Sequence, residues 1–246
     1  MYDFLKRKYG QNFLIDQNII KKICSLIPKK NLNIVEIGPG DGRLTEQILL
    51  SKPRKFKIIE IDPDLIPTLK SKFSKKTKIE IINENILIYP LIEKVDLIIS
   101  NLPYNISSQI LVKICLMECP PLNLILMFQK EFADRVIDKK LNSLNSLINC
   151  FYEINNTFNV SKNCFRPVPK INSTVLSFKI RKNILLKKIE TNNFIEFKRK
   201  LFSHKRKTLN NLLKNYNFDK EKFDLNLRIE DINLQQLLKI FREINL

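Results

Sequence analysis

The sequence predicts an α/β fold, a parallel sheet with helices on both faces, followed by a small all-helical C-terminal domain. Three observations predict it. Short apolar runs alternate with helical patterns through the first half of the chain. Three of the four glycines sit in one loop between a strand pattern and a helix pattern. Beyond residue 180 the patterns turn helical and basic, with 16 Lys+Arg against 8 Asp+Glu in residues 181–246. Two domains are therefore expected, residues 1–180 and residues 181–246.

The elements follow in order. The stretch DQNIIKKICSLI (16–27) has helical spacing and opens on an aspartate suited to N-capping. NIVEI (33–37) reads as a buried strand, and RLTEQILLS (43–51) after the glycines as a helix. KFKIIEI (55–61) is the second strand, with PDLIPTLKSKF (63–73) as its helix. KIEIIN (78–83) and DLIIS (96–100) continue the series, SSQILVKICLM (107–117) is helical, and NLILMF (123–128) adds a fifth strand. Strands alternating with helices imply parallel pairing, and ligands in such sheets bind beyond the carboxyl ends of the strands. In the last third, NNFIEFKRKLFS, KRKTLNNLLKN and LQQLLKIFREI have helical periodicity.

Composition restricts the function classes. With 44% hydrophobic and 28% charged residues the chain reads as soluble and globular, and no apolar run approaches the ~18 residues of a membrane span. MYDFLKRKYG, at the start, lacks the apolar core of a secretory signal. The formal charge of +18 favours a polyanionic partner over a membrane surface. One histidine and five cysteines without a C-x-x-C pair argue against zinc and against a Cys/His or Ser/His nucleophile, and fit a reducing cytoplasm. Cys115 and Cys119, four apart in a helical pattern, are expected to be packed thiols.

The glycine loop is EIGPGDG, with Gly38, Gly40 and Gly42. A tight turn is the simplest reading. A dinucleotide fingerprint, G-x-G-x-x-G, would need its third glycine where Arg43 stands. The form E-x-G-x-G-x-G instead resembles the first motif of class I S-adenosylmethionine-dependent methyltransferases, whose fold is Rossmann-like. The second strand ends in Glu60 and Asp62. A carboxylate about 20 residues past the glycines can accept hydrogen bonds from both ribose hydroxyls, and Glu60 is the candidate.

After the fourth strand comes Asn101-Leu102-Pro103-Tyr104. Asn-x-Pro is ordinary turn chemistry, but these groups also suit an exocyclic amine on a nucleobase. The Asn101 oxygen and the carbonyl of Leu102 or Pro103 can accept the two amine hydrogens, drawing the nitrogen towards sp³. Proline directs the carbonyls, and Tyr104 offers a stacking face.

With these motifs stand YGQNFLID, IEIDPDL, NLPYNIS, FQKEFADR, FRPVPKINSTV and KRKTLNNLL, in an order and spacing similar to the ribosomal RNA adenine dimethyltransferases. The likeness covers nearly the whole chain and is greatest to the small-subunit type. It implies dimethylation at N6 of two adjacent adenosines in the 3′-terminal hairpin loop of small-subunit rRNA, S-adenosylmethionine as cofactor, and a pre-30S particle as partner, with a monomeric enzyme and no metal. It places Gln11, Asn12, Leu14, Gly38, Gly40, Glu60, Asn85 and Asn101 on the cofactor. Asn101 to Tyr104 and Phe165 fall on the target base, with Phe165 opposite Tyr104. Asn85 departs from the aspartate usual at its position; its oxygen still accepts the adenine amine, without charge. LNSLNSL also departs from the family's Tyr-Gly-containing segment.

FKRKLFSHKRKT carries Lys198, Arg199, Lys200, Lys205, Arg206 and Lys207. A solvated helix face is the plainer reading of such a run; in a chain of this charge, phosphate binding is expected. LKRKYGQNF is a second candidate RNA-binding segment, and His204 is assigned no chemistry. Two rival functions share these motifs. A non-enzymatic RNA-binding or assembly factor is disfavoured by the intact glycine loop, Glu60 and N-L-P-Y. A large-subunit methyltransferase is separated by comparing activity on the two subunits.

Overall fold

A computed structural model of the chain describes residues 12–73 and 79–244. Its elements are β1 (Phe13–Leu14), α1 (Gln17–Cys24), β2 (Asn33–Ile37), α2 (Arg43–Leu49), β3 (Lys55–Glu60), α3 (Ile66–Phe73), β4 (Ile79–Asn83), β5 (Leu97–Asn101) and α4 (Ser107–Cys115). There follow β6 (Asn123–Gln129), α5 (Lys130–Ile137), α6 (Asn145–Phe151), β7 (Tyr152–Val160), β8 (Phe165–Arg166), β9 (Ser173–Ile180), α7 (Thr191–Phe202), α8 (Leu209–Leu212) and α9 (Leu234–Ile244).

Seven strands form one sheet in the order β4-β3-β2-β5-β6-β9-β7. The pairs β4–β3, β3–β2, β2–β5 and β5–β6 are parallel, while β9 runs antiparallel to β6. The five strands expected from apolar runs are all present. The antiparallel edge is an addition: residues 152–180 alternate apolar with polar positions and lack the continuous hydrophobic run of a strand buried on both faces.

Strand order reverses between β2 and β5, and that switch point puts the ends of these two strands side by side. Ile34 pairs with Leu97 and Glu36 with Ile99, so the glycine loop and Asn101 emerge from adjacent strands. The core beneath includes Ile34, Ile58, Leu97 and Ile99 from the sheet, with Ile20, Ile48 and Leu69 from the helices. Burying each such side chain is worth about 1.5–3 kcal/mol. α1 begins where expected: the Asp16 carboxylate accepts from Asn18 N at 2.9 Å and Ile19 N at 3.0 Å. α4 ends at Cys115, which is buried; Cys119 lies beyond the helix and is exposed, so the expectation of two packed thiols holds only for Cys115.

The chain divides into two compact units, one within Met1–Ala133 and Ile154–Ile180, the other within Asp134–Glu153 and Arg181–Leu246. The sequence pattern suggests a single cut after 180. Residues 134–153 group instead with the C-terminal residues, because α6 is tied to them. Arg181 Nε donates to Asn149 O at 2.7 Å, and Leu185 N to Cys150 O at 2.9 Å. The second unit has its own aromatic core, with the rings of Phe194 and Phe197 centred 5.2 Å and 5.5 Å from Phe241.

Candidate active site

A cleft lies at the carboxyl ends of β2, β3 and β5. Asn12, Leu14, Gly38, Gly40, Glu60, Asn85 and Asn101–Tyr104, predicted from sequence, all line it. Gln11 lies outside the described residues, as does Gly10.

The glycine loop wraps one wall. Gly40 has φ +59°, and a Cβ there would come within 2.8 Å of the Phe13 ring. Only glycine meets both conditions without strain. The Gly40 N–H is thereby free to donate to Glu60 Oε2 at 3.2 Å, while Asp62 N donates to Glu60 Oε1 at 2.9 Å. Two backbone donors aim the Glu60 carboxylate and leave each oxygen a further lone pair. Burial raises its pKa, and these hydrogen bonds oppose the rise. Asp62 does something else: its Oδ1 accepts from Asp64 N at 3.2 Å and caps the turn before α3.

Beneath the loop lies Glu36, 1% exposed and lining the same cleft. Thr45 Oγ1 donates to its Oε2 at 2.6 Å. Burial first, and the nearby Glu60 and Asp41 next, push the Glu36 carboxyl up to about 8 against the Thr45 hydrogen bond. The sequence motif contains Glu36 without indicating a role for it; a carboxylate in an otherwise apolar strand was the available signal. The cleft is thus lined by Glu36, Asp41, Glu60 and Glu84, with Arg43 held by Asp41 at 3.2 Å. An acidic cleft in a chain of net charge +18 suits a cationic ligand.

The opposite wall is N-L-P-Y. Asn101 Nδ2 donates to Asn12 O at 2.9 Å. That bond sets the amide's orientation, since the reverse assignment would face two oxygens. Asn101 Oδ1 is then buried and, among the described residues, has no hydrogen-bond partner. An orphaned buried acceptor costs about 1–3 kcal/mol. Pro103 O already accepts from Ile106 N at 3.2 Å and Ser107 Oγ at 3.3 Å. Tyr104 Oη lies 2.8 Å from Ser173 Oγ, a residue for which the sequence offered no signal. Burial raises the Tyr104 pKa, so the phenol is neutral. Asn85 sits at the cleft's edge, its Oδ1 accepting from Leu87 N at 3.0 Å.

Two expectations need correction. Phe165 does not face the cleft. It is 0% exposed, pairs with Leu14 across β1–β8 and belongs to the core, because its short antiparallel ladder turns the ring inward. Lys198 is not a surface cation. It is 5% exposed, and its ammonium donates to the carbonyl and hydroxyl of Ser143. On α7, Phe194, Phe197 and Leu201 are buried, and position 198 falls on the same helical face. Arg199, Lys200, Lys205, Arg206 and Lys207 are exposed. No helix is long and apolar enough to cross a membrane among the described residues.

The family described as "Ribosomal RNA adenine dimethylase" matches residues 3–246. The "Ribosomal RNA small subunit methyltransferase A" of Malacoplasma penetrans is 43% identical over 90% of this chain and 82% of its own length. The protein of the same name from Mycoplasma capricolum is 40% identical over 97% of each chain. Among solved structures, a dimethyladenosine transferase from Plasmodium falciparum superposes with a TM-score of 0.84 at 25% identity, covering 95% of this chain and 97% of that one. The 23S rRNA methyltransferase ErmE shares the fold, with a TM-score of 0.74 at 24% identity over 95% and 100%. With the family matched across almost its full length and relatives this similar, the chain belongs to the ribosomal RNA adenine dimethylases.

Proposed function

We propose that this protein dimethylates N6 of two adjacent adenosines in the 3′-terminal hairpin loop of small-subunit rRNA. It acts as a cytoplasmic monomer on a pre-30S particle, with S-adenosylmethionine as methyl donor. The observation that carries this reading is the buried, unpartnered Asn101 Oδ1 on the wall of an acidic cleft. A core polar atom without a partner is an acceptor awaiting a donor, and an adenine amine is such a donor.

The residues fit the cofactor. Glu60 offers two aimed oxygens to a ribose diol, the backbone of Gly38 and Gly40 permits close approach, and Asn12, Leu14 and Asn85 border the same space. Of the carboxyl side chains lining the cleft, Asp41, Glu60 and Glu84 complement positive charge, while Glu36 keeps its proton. When bound, S-adenosylmethionine supplies a methyl group already activated on a sulfonium, so no strong general base is required.

The chain's own contribution is positioning. Asn101 Oδ1 accepts one amine hydrogen. The second goes to the main-chain carbonyl of Leu102, since Pro103 O already has two donors. Held by two acceptors, the nitrogen lone pair turns out of conjugation. Tyr104 supports the ring, and a looped-out adenosine is less costly to extrude than a paired one. The exposed Arg199, Lys200, Lys205, Arg206 and Lys207 meet phosphates.

The test is methyl transfer to immature small subunits, with large subunits in parallel. N6,N6-dimethyladenosine in the small-subunit loop is expected. Labelling confined to the large subunit, or none with folded protein, would refute the assignment.

A further inference from the structure

Tyr104 is anchored at both ends. Its backbone starts the 3₁₀ turn Tyr104–Ile106, set by Pro103. Its hydroxyl meets Ser173 Oγ at 2.8 Å. Ser173 is the first residue of β9, is 0% exposed and pairs with Gln129. Because β9 runs antiparallel to β6, its start lies at the edge of the sheet where the cleft opens. The adjoining backbone is also pinned, with Lys130 N donating to Asn172 O at 3.0 Å and Lys162 N to Asn172 Oδ1 at 3.0 Å. The hydroxyl that meets the tyrosine therefore stands on a fixed strand.

We propose that Ser173 is a positioning residue for the methyl-acceptor base, acting through the Tyr104 hydroxyl, and that its contribution is greatest in the second of the two transfers. This rests on the proposed function. An unmodified adenine amine has two hydrogens for two acceptors, Asn101 Oδ1 and a main-chain carbonyl. After one transfer the amine keeps one hydrogen and carries a methyl group in place of the other. One polar restraint on the nitrogen is gone. The base's placement then depends more on the face against which its ring packs. A tyrosine held only at its backbone end can rock about χ1 and χ2, whereas one tethered at Oη presents a fixed plane. Atoms balance in each transfer: a carbon–sulfur bond breaks, a nitrogen–carbon bond forms, and one amine proton leaves to solvent.

The experiment compares wild type, Ser173→Ala, Tyr104→Phe and the double variant on immature small subunits. Hydrolysed rRNA is analysed for N6-monomethyl and N6,N6-dimethyl adenosine over time, and S-adenosylhomocysteine affinity is measured by calorimetry. Each single variant should raise the ratio of monomethyl to dimethyl product roughly three- to tenfold, the worth of one net hydrogen bond. The double variant should do no more than either alone, and cofactor affinity should not change. Ser173→Thr, which keeps a hydroxyl, should restore the wild-type ratio. An unchanged ratio in Tyr104→Phe, or additive effects in the double variant, overturns the proposal even if Ser173→Ala fails to fold. Wild type that makes no N6-methyladenosine overturns the underlying reading instead.

Discussion

Asn101 Nδ2 donates to the backbone carbonyl of Asn12, a residue 89 positions earlier in the chain, at 2.9 Å. This link commits the amide nitrogen to the protein and leaves the buried oxygen without a partner among the described residues. Asn101→Ala should lower kcat on small subunits about 10²-fold, as loss of one preorganised polar group does elsewhere. Cofactor affinity should fall much less. Single-turnover kinetics with calorimetry separates the two; equal losses in both would place Asn101 on the cofactor alone.

Glu36 gives a pH signature. Its carboxyl titrates at about 8 in the folded chain against an ordinary 4.5. Between those values the folded state holds a proton that the unfolded state has lost, so stability decreases as pH rises. This contribution is fully present below about 4.5 and gone above about 8. The slope is on the order of 1 kcal/mol per pH unit. Glu36→Gln, neutral throughout and still able to accept from Thr45, should flatten that slope and raise Tm at pH 8. Melting curves from pH 5 to pH 8 check it, and a parallel pair of profiles would refute it.

Asn85 marks a departure that the structure leaves repairable. Its Oδ1 already caps Leu87 N at 3.0 Å, and an aspartate can do the same. Asn85→Asp should tighten S-adenosylmethionine binding several-fold, as a charged acceptor strengthens a hydrogen bond about twofold. Calorimetric titration showing no gain would remove Asn85 from the adenine site.

The basic helix divides into structural and exposed cations. Lys198→Ala should destabilise the fold by about 1–3 kcal/mol by removing the ammonium's hydrogen bonds to the Ser143 carbonyl and hydroxyl. Alanine at Arg199, Lys200, Lys205, Arg206 and Lys207 should leave Tm nearly unchanged. Each cation removed from a phosphate should reduce the magnitude of the slope of log K against log salt by roughly 0.7–0.9. Thermal melts and RNA binding at several salt concentrations distinguish these outcomes.

The strands were legible because buried parallel strands are continuous apolar runs, and NIVEI and DLIIS appear as β2 and β5 within one residue. The cleft was legible because its parts are local: glycines in one loop, Glu60 at one strand end, Asn101 to Tyr104 at another. Phe165 and Lys198 were misread because both were assigned by residue type within a motif. For Lys198 the helical spacing from Phe194 and Leu201 already pointed inward. For Phe165 only the β1–β8 pairing settles the matter.

The sequence by itself thus determined the alternation of elements, the glycine loop and the chemical inventory of the cleft, since these depend on periodicity and short-range backbone constraints. Only the tertiary structure decided which way the Asn101 amide points, that Glu36 lies buried beside Glu60, and that Ser173 meets Tyr104. Those relationships join residues 24 to 89 positions apart, and no local pattern specifies partners that only the folded sheet brings together.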